Sequence, residues 1–243
     1  MTAQPRPVRA LRVARAGAVK ARTQAGNQLR DLIVTAPEQV RRQLGGLPSR
    51  RQAETAARFR PGDLSSPAEG AKAAMASVGR RHQDLAAEIA RLDTALEELL
   101  TRAAPKQLLA KRGVAAQVAA ALLATAGDNP GRVGKEASFA ALCGASPVDA
   151  SSGKQLRHRL NRGGDRQANS ALWTIAMTRL ACDPRTKAYA ARRTNEGKTR
   201  KETIRCLKRY IAREIYKALC RSQRPSTQAV SHAEKYFSSP TLT

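Results

Sequence analysis

One long run of apolar residues at heptad spacing constrains the fold of this chain more than any other feature. The run extends from Met75 to Leu99 in alternating steps of three and four residues, which places its members on one stripe of a helix. Its members are Met75, Val78, His82, Leu85, Ile89, Leu92, Leu96 and Leu99. We interpret His82 as a packing residue. Such a stripe is typical of a coiled coil and must be covered, either by self-association or by an antiparallel helix of the same chain.

A second apolar stripe near the amino terminus offers such a helix. Apolar residues recur from Leu11 to Leu32 at three- and four-residue spacing, and the helix should end near Pro37. Between the two stripes, residues 45–67 contain Gly-Gly, Pro-Gly and Ser-Ser-Pro sequences, which are typical of a connection with at most a short helix. Residues 1–104 are therefore predicted to form a helical coiled-coil region for association. The Arg and Lys side chains that lie off the first stripe form either a solvated helix face or a contact for a nucleic-acid backbone.

The composition favours helices throughout the chain. Aromatic residues make up only 3%, whereas Ala is abundant, a combination that suits closely packed helices better than a sheet of bulky residues. The four cysteines are widely spaced without a CxxC pair, which predicts reduced thiols and neither a zinc site nor a disulfide framework. No apolar run is long enough to span a membrane and no signal-peptide pattern is present. The sequence predicts an all-α, cytoplasmic protein.

The charge points to a polyanionic partner. The formal net charge is +25 and the pI is near 11.3, far beyond what solubility requires. Cations outnumber acids about fourfold in residues 1–62 and again in residues 151–224, whereas residues 63–104 are slightly acidic. A membrane surface is the competing polyanion, but the chain has no spanning segment. We therefore expect nucleic acid as the partner, and an association with the bacterial nucleoid.

The second half of the chain has the pattern of a compact helical domain. Two apolar segments joined at Gly113 and Ala115 resemble the helix-hairpin-helix pattern, whose backbone N–H groups contact DNA phosphates, although a plain turn in a core explains them equally well. Asp165 is predicted to cap a helix that runs to about Cys182. We expect Trp173 of that helix in the core, with stacking on a base as the alternative. Further helices should end near Asn195 and Cys220, the last one opening with a capping box at Thr199 and Glu202.

The run SSGKQLRHRLNRGGDRQAN, residues 151–169, sets two hydroxyls beside a dense basic cluster. A serine that attacks a phosphodiester needs cations to neutralise the developing negative charge, and a group such as His158 to move a proton. Alternatively, Ser151 and Ser152 form a hydroxyl-rich turn and the cations only bind phosphate. Metal-dependent chemistry needs several carboxylates, yet only Asp149 and Asp165 bracket the run. The predicted phosphate-binding residues are Lys154, Arg157, His158, Arg159, Arg162 and Arg166, together with Arg205 and Arg209 of the last helix.

Three stretches resemble the C-terminal half of insertion sequence 110 family transposases, the group that includes the 116 and 902 types. They read AGDNPGRVGKEASFAALCGASPV, then ASSGKQLRHRLNRGGDRQANSALW, and later YAARRTNEGKTRKETIRCLKRYIAREIY. The resemblance covers about Pro105 to Leu219, and the amino-terminal helices are similar to the middle region of the family. Residues 105–221 are thereby expected to form a C-terminal transposase domain, followed by a flexible tail at residues 222–243.

The resemblance implies a DNA recombinase with a serine nucleophile, guided in relatives by a structured RNA. The family's nucleophile is the Ser immediately before Gly, which is Ser152 here. Full-length relatives also carry an amino-terminal domain similar to Holliday-junction resolvases, whose four acidic residues bind Mg²⁺. This chain shows no such acidic, strand-rich pattern, so it is expected to be truncated and to need an intact partner for strand exchange, as a homo-oligomer or a mixed oligomer. The alternative is a non-catalytic nucleic-acid-binding protein that inhibits full-length transposase through mixed oligomers.

Overall fold

The computed structural model describes residues 5–127, 133–152, 158–159 and 161–221. These residues form ten α-helices and one two-stranded antiparallel sheet, which confirms the all-α prediction. The predicted tail, residues 222–243, lies outside the described residues. The helices group into two compact units, one spanning Ala10–Glu97 and the other containing the described residues on either side of that range.

The first unit is built on two long helices. Helix α1 spans Pro5–Thr35 and α4 spans Pro67–Ala103, and the chain between them forms the short helices α2, Glu38–Leu44, and α3, Ser49–Ala57. The first helix thus ends where the proline predicted, and the connection contains short helices as expected. Leu29, Val40, Leu44, Ala53 and Met75 belong to one buried cluster that joins all four elements.

The two long helices run antiparallel. Arg15, near the start of α1, makes two hydrogen bonds to the carboxylate of Asp93, with Nε to Oδ1 at 2.5 Å and Nη2 to Oδ2 at 3.1 Å. Toward the other end of α1, Gln28 accepts a hydrogen bond from Arg81 of α4. The stripe residues Met75, Ile89 and Leu96 are buried. The heptad stripe is therefore covered within one chain, by the antiparallel pairing that the sequence allowed.

The second unit contains six shorter helices and the sheet. The helices are α5, Lys106–Leu109; α6, Ala116–Ala126; α7, Glu136–Leu142; α8, Arg166–Cys182; α9, Pro184–Asn195; and α10, Arg200–Arg221. The strands are β1, Val148–Asp149, and β2, His158–Arg159. Helix α8 packs against α6 and α10, and α7 packs against α10. Phe139, Leu172, Ile175 and Ile215 are among the fully buried side chains of this core.

Local signals placed the helix ends correctly. The side chain of Asp165 accepts hydrogen bonds from the amides of Gln167 and Ala168, as a cap of α8 should. At the start of α10, the amide of Thr199 donates to the Glu202 carboxylate at 2.9 Å and the amide of Glu202 donates to the Thr199 hydroxyl at 3.4 Å. These are the two reciprocal bonds of the predicted capping box.

The prediction for Trp173 was wrong. This side chain is 48% exposed, because Leu172, Ile175 and Ala176 turn the buried face of α8 toward its neighbours and leave Trp173 on the far side of the helix.

Candidate nucleic-acid site

The two serines of the basic run have different environments. Ser151 is held by Asp149, whose Oδ1 accepts hydrogen bonds from the Ser151 amide at 2.8 Å and from its hydroxyl. These bonds lower the pKa of the Asp149 carboxyl, with a smaller contribution from the charge of His158. Ser152 is exposed, and its hydroxyl has no hydrogen-bond partner among the residues that the structure describes. Both serines are exposed, so their hydroxyls differ in hydrogen bonding and not in accessibility.

The sheet places part of the basic run beside these serines. Val148 pairs with Arg159 and Asp149 pairs with His158, so both cationic side chains lie on the strand next to the one that leads into Ser152. Both are exposed. The predicted phosphate-binding residues Lys154 and Arg157 lie outside the described residues.

Two glycines bring the ends of this segment together. Gly144 has φ +62°, and a Cβ atom at Gly164 would overlap the backbone of Gly144. The Asp165 amide donates to the Leu142 carbonyl at 2.7 Å, and the Asp165 carboxylate accepts from the Thr125 hydroxyl at 2.7 Å. Gly144 and Gly164, which lie on either side of Ser152 in the sequence, are therefore in contact beside α8. Asp165 is engaged there as a helix cap, as predicted, and so is not free to bind a metal.

A basic cleft opens beside this closed segment. Its volume is about 310 Å³, and it lies between the turn at residues 144–147, β2, and the facing parts of α9 and α10. Among the described residues, its lining contains a single carboxylate, that of Glu202. The lining cations are His158, Arg159, Arg193, Lys198, Arg205, Lys208, Arg209 and Arg213. The structure therefore brings together four of the predicted phosphate-binding residues, namely His158, Arg159, Arg205 and Arg209. Arg162 and Arg166 are exposed, but they are not part of the lining.

Several of the cleft arginines already have carboxylate partners. Glu136, the first residue of α7, forms ion pairs with Arg209 and Arg213, and these pairs hold the pKa of the Glu136 carboxyl below its usual range, against the opposing effect of burial. Arg205 lies 3.8 Å from Glu202. A phosphate that enters the cleft would compete with these carboxylates for the guanidinium groups.

Lys208 differs from these arginines, and its position could not be read from the sequence. The sequence places it on the cationic face of the last helix, yet only 5% of the residue is exposed. Its Nζ donates to Oδ1 of Asn169 at 2.8 Å, and Nδ2 of Asn169 donates to the carbonyls of Cys143 and Gly144 at 2.9 Å each. Ala212, one turn further along α10 and fully buried, is the one hint that this side of the helix packs closely.

The predicted hairpin contacts have a simpler explanation. Helix α5 is a single turn, and Gly113, with φ +84°, lies so close to α8 that an added Cβ would be 3.3 Å from the Cα atom of Ile175. The amide of Val114 donates to the carbonyl of Lys111 at 3.0 Å and is not free for phosphate. Ala115 is exposed at the cap of α6. The close approach to α8 accounts for Gly113, while contact of Gly113 and Ala115 with a nucleic-acid backbone stays a prediction.

The described ranges contain no group of three or more His, Cys, Asp or Glu side chains placed to hold a metal ion. The residues present therefore do not fit the Mg²⁺ site expected of full-length relatives. All four cysteines are free, as predicted, and burial, reinforced by the charge of Asp165, raises the pKa of Cys143 to about 12. None of the helices in the part of the chain that the structure describes is both long and apolar enough to cross a membrane.

Comparison with known proteins finds a match within the second unit. No curated protein matches the chain. Residues 106–191 match the family described as Transposase IS116/IS110/IS902 family. The match begins at α5 and ends within α9, and it includes both serines and the sheet. Residues 106–191 are thus similar to a domain of the IS116/IS110/IS902 transposases.

Proposed function

We propose that the domain takes part in DNA transposition by using Ser152 as the nucleophile on a DNA phosphodiester. The observation that carries this proposal is the contrast between the two exposed hydroxyls: that of Ser151 bonds to Asp149, whereas that of Ser152 has no hydrogen-bond partner among the described residues. The segment that bears Ser152 also borders a cleft whose lining carries seven Lys and Arg side chains and one carboxylate. A reactive hydroxyl beside a site for phosphate charge is what phosphoryl transfer to serine requires.

The proposed transfer exchanges one phosphoester bond for another, so it needs no external source of energy. Ser152 Oγ forms a bond to phosphorus as the bond from phosphorus to one DNA oxygen breaks, and the serine proton ends on the released DNA hydroxyl. His158, paired with Asp149 in the sheet, is suited to carry that proton. The guanidinium groups of Arg159 and Arg205 are suited to neutralise the charge on the non-bridging oxygens. Attack by a second DNA hydroxyl on the serine ester would rejoin the strand.

The proposal requires other components besides this domain. Because no acidic cluster fits a metal among the described residues, we assign no step to Mg²⁺, and the acidic half of the active site would come from another domain or polypeptide. The resemblance to guided relatives suggests a structured RNA as a further partner, and the net charge of +25 is compatible with it. Assembly as a homo-oligomer or a mixed oligomer would bring the two halves together.

Trapping of the covalent intermediate tests the nucleophile. The chain is incubated with DNA from the ends of the element and with a resolvase-like acidic domain supplied in trans, and the protein–DNA adduct is detected on a denaturing gel. The adduct should form with wild-type protein and with Ser151→Ala, and should be lost with Ser152→Ala. Ser151→Ala is the matched control because it removes a neighbouring hydroxyl of the same kind.

Two results would contradict the proposal. An adduct that persists in Ser152→Ala would place the nucleophile elsewhere. Salt-dependent DNA binding without an adduct in any variant, even with the acidic domain present, would favour the alternative of a non-catalytic binding protein that acts through mixed oligomers.

A further inference from the structure

The cleft contains a buried cation that no carboxylate balances. Among the residues described, the Lys208 ammonium has one hydrogen-bond partner, the neutral amide oxygen of Asn169, and it forms no ion pair. Burial, together with the charge of Arg205, lowers its pKa. An ammonium has three donors, and burying it with one neutral acceptor is unfavourable unless an anion completes the site. Because Lys208 lines the cleft, an anion there could reach it.

The same cleft has an aromatic rim. Tyr210 lines both the cleft and a second, neighbouring depression, and it is 51% exposed. The ring of Tyr189 meets it edge-on, with centroids 5.6 Å apart and an interplanar angle of 79°, which fixes the orientation of the Tyr210 ring. The guanidinium carbon of Arg213 lies 6.0 Å from its centre, at the outer limit of a cation–π contact. Half of Tyr210 is therefore left exposed beside a cationic cleft.

We propose that this cleft and the Tyr210 ring together bind one unpaired nucleotide, with its phosphate beside Lys208 and its base stacked on Tyr210. A base stacks on a protein ring only when it has left its own helical stack, which a base inside a duplex has not. A cleft of about 310 Å³ is at the small end of ligand sites and suits one nucleotide rather than a duplex. The inference rests on the proposed function, since it assigns a subsite for the same nucleic-acid substrate.

The stacking half of the inference is tested by binding. The full chain is titrated into fluorescently labelled thymidine and uridine single strands of about eight nucleotides, within the range of common site sizes, and into a DNA duplex of equal length. Tyr210→Leu should weaken single-strand binding about tenfold, the usual effect of losing one stacked base, and should change duplex binding less than about twofold. Tyr210→Phe keeps the ring and should bind like wild type. Comparison of the two single strands shows whether the unpaired nucleotide is DNA or RNA.

Trp173→Leu is the matched control, because this exposed aromatic lies outside the cleft lining. Equal losses for Tyr210→Leu and Trp173→Leu, or equal losses on single strand and duplex, would overturn the inference. Because Tyr210 is exposed, its substitution leaves the core intact, and the result does not depend on a damaged fold.

The phosphate half is tested by Lys208→Met, which keeps the buried aliphatic stem and removes the charge. Single-strand affinity should fall at least about tenfold, the loss of one charge-assisted contact, while the thermal midpoint should not fall, because an unbalanced buried charge is gone. Lys201→Met removes one charge from an exposed position on the same helix and should cost no more than about threefold. Equal losses for the two variants would overturn the inference. Both tests are independent of the Ser152 adduct, so the subsite can fail while the nucleophile stands, and the reverse.

Discussion

The most deeply buried cation of the second unit differs from the carboxylate-paired arginines of the first unit. In the first unit, both oxygens of Asp93 accept hydrogen bonds from Arg15. The exposed arginines of α3 pair with Glu54, one turn away. In the second unit, the most deeply buried cation, Lys208, has a neutral amide as its partner. A cation paired with a carboxylate stabilises the fold, whereas a buried cation that lacks one is suited to an anionic ligand. This contrast supports the proposed nucleotide subsite at Lys208.

The largest expected effect concerns the backbone contact on which the second unit depends. Gly164→Ala should destabilise the protein by about 3 kcal/mol, since the added methyl would overlap the backbone of Gly144 and backbone cannot yield as a flexible side chain can. Chemical denaturation monitored by circular dichroism measures the change. Gly163→Ala is the control, because its added Cβ would have an ordinary contact with Asn161. Equal effects for the two glycines would show that the close approach does not matter.

Glu136→Gln should strengthen DNA binding by about tenfold, because it releases Arg209 and Arg213 from a competing carboxylate and leaves two more guanidinium groups for phosphate. Glu54→Gln in the first unit removes the same charge from an ion-paired position that is not part of the cleft lining, and it should change affinity less than about twofold. Fluorescence anisotropy at several salt concentrations measures both. If the two variants gain affinity equally, the gain comes from the change in net charge and not from release of the cleft arginines.

A smaller effect than those above is expected from acid, which should weaken the ion pairs that Glu136 makes with Arg209 and Arg213. Its pKa is lowered in the folded protein, so its contribution to the free energy of unfolding is fully present above the ordinary Glu value of 4.5 and is lost as the pH falls below that value through the folded pKa. Unfolding measured between neutral pH and about pH 3 should show this loss. The loss should be reduced in Glu136→Gln, and an unchanged acid slope in that variant would contradict it.

The smallest effect is expected for the ion pair between Arg15 and Asp93 in the first unit. Arg15→Met should cost less than about 1 kcal/mol, since the pair with Asp93 is about one-third exposed and solvent screens it. Thermal unfolding at low and high salt checks this, because the wild-type advantage should shrink as salt rises. A much larger cost would mean that the pair aligns the two helices and is not a surface interaction.

The sequence predicted best what neighbouring residues decide. The heptad stripe, the cap at Asp165 and the capping box at Thr199 depend on residues within a few turns of one another, and all three were correct. The exposure of Trp173, by contrast, depends on which face of α8 packs against other helices. The periodicity of the sequence alone did not determine that face.

The site was harder to predict because its contacts join distant parts of the chain. Glu136 and Arg209 are 73 residues apart, and Asn169 and Lys208 are 39 residues apart. The basic run contributes His158 and Arg159 to the cleft lining, while their contact with phosphate stays a prediction. That Lys208 would be buried depends on the packing of α8, α7 and α10, for which the sequence carries no local signal.

In the proposed function, the contact between Gly144 and Gly164 would also govern how often Ser152 meets a DNA phosphodiester. Because the chain returns to its starting point there, the segment between the two glycines is a closed loop of about 20 residues, and the entropy of bringing its ends together is already lost on folding. A hydroxyl on so short a tether has an effective concentration near the cleft that stays high at any protein concentration. Lengthening the loop between the glycines would dilute Ser152 without touching its chemistry, in the way that a longer linker weakens a bivalent ligand.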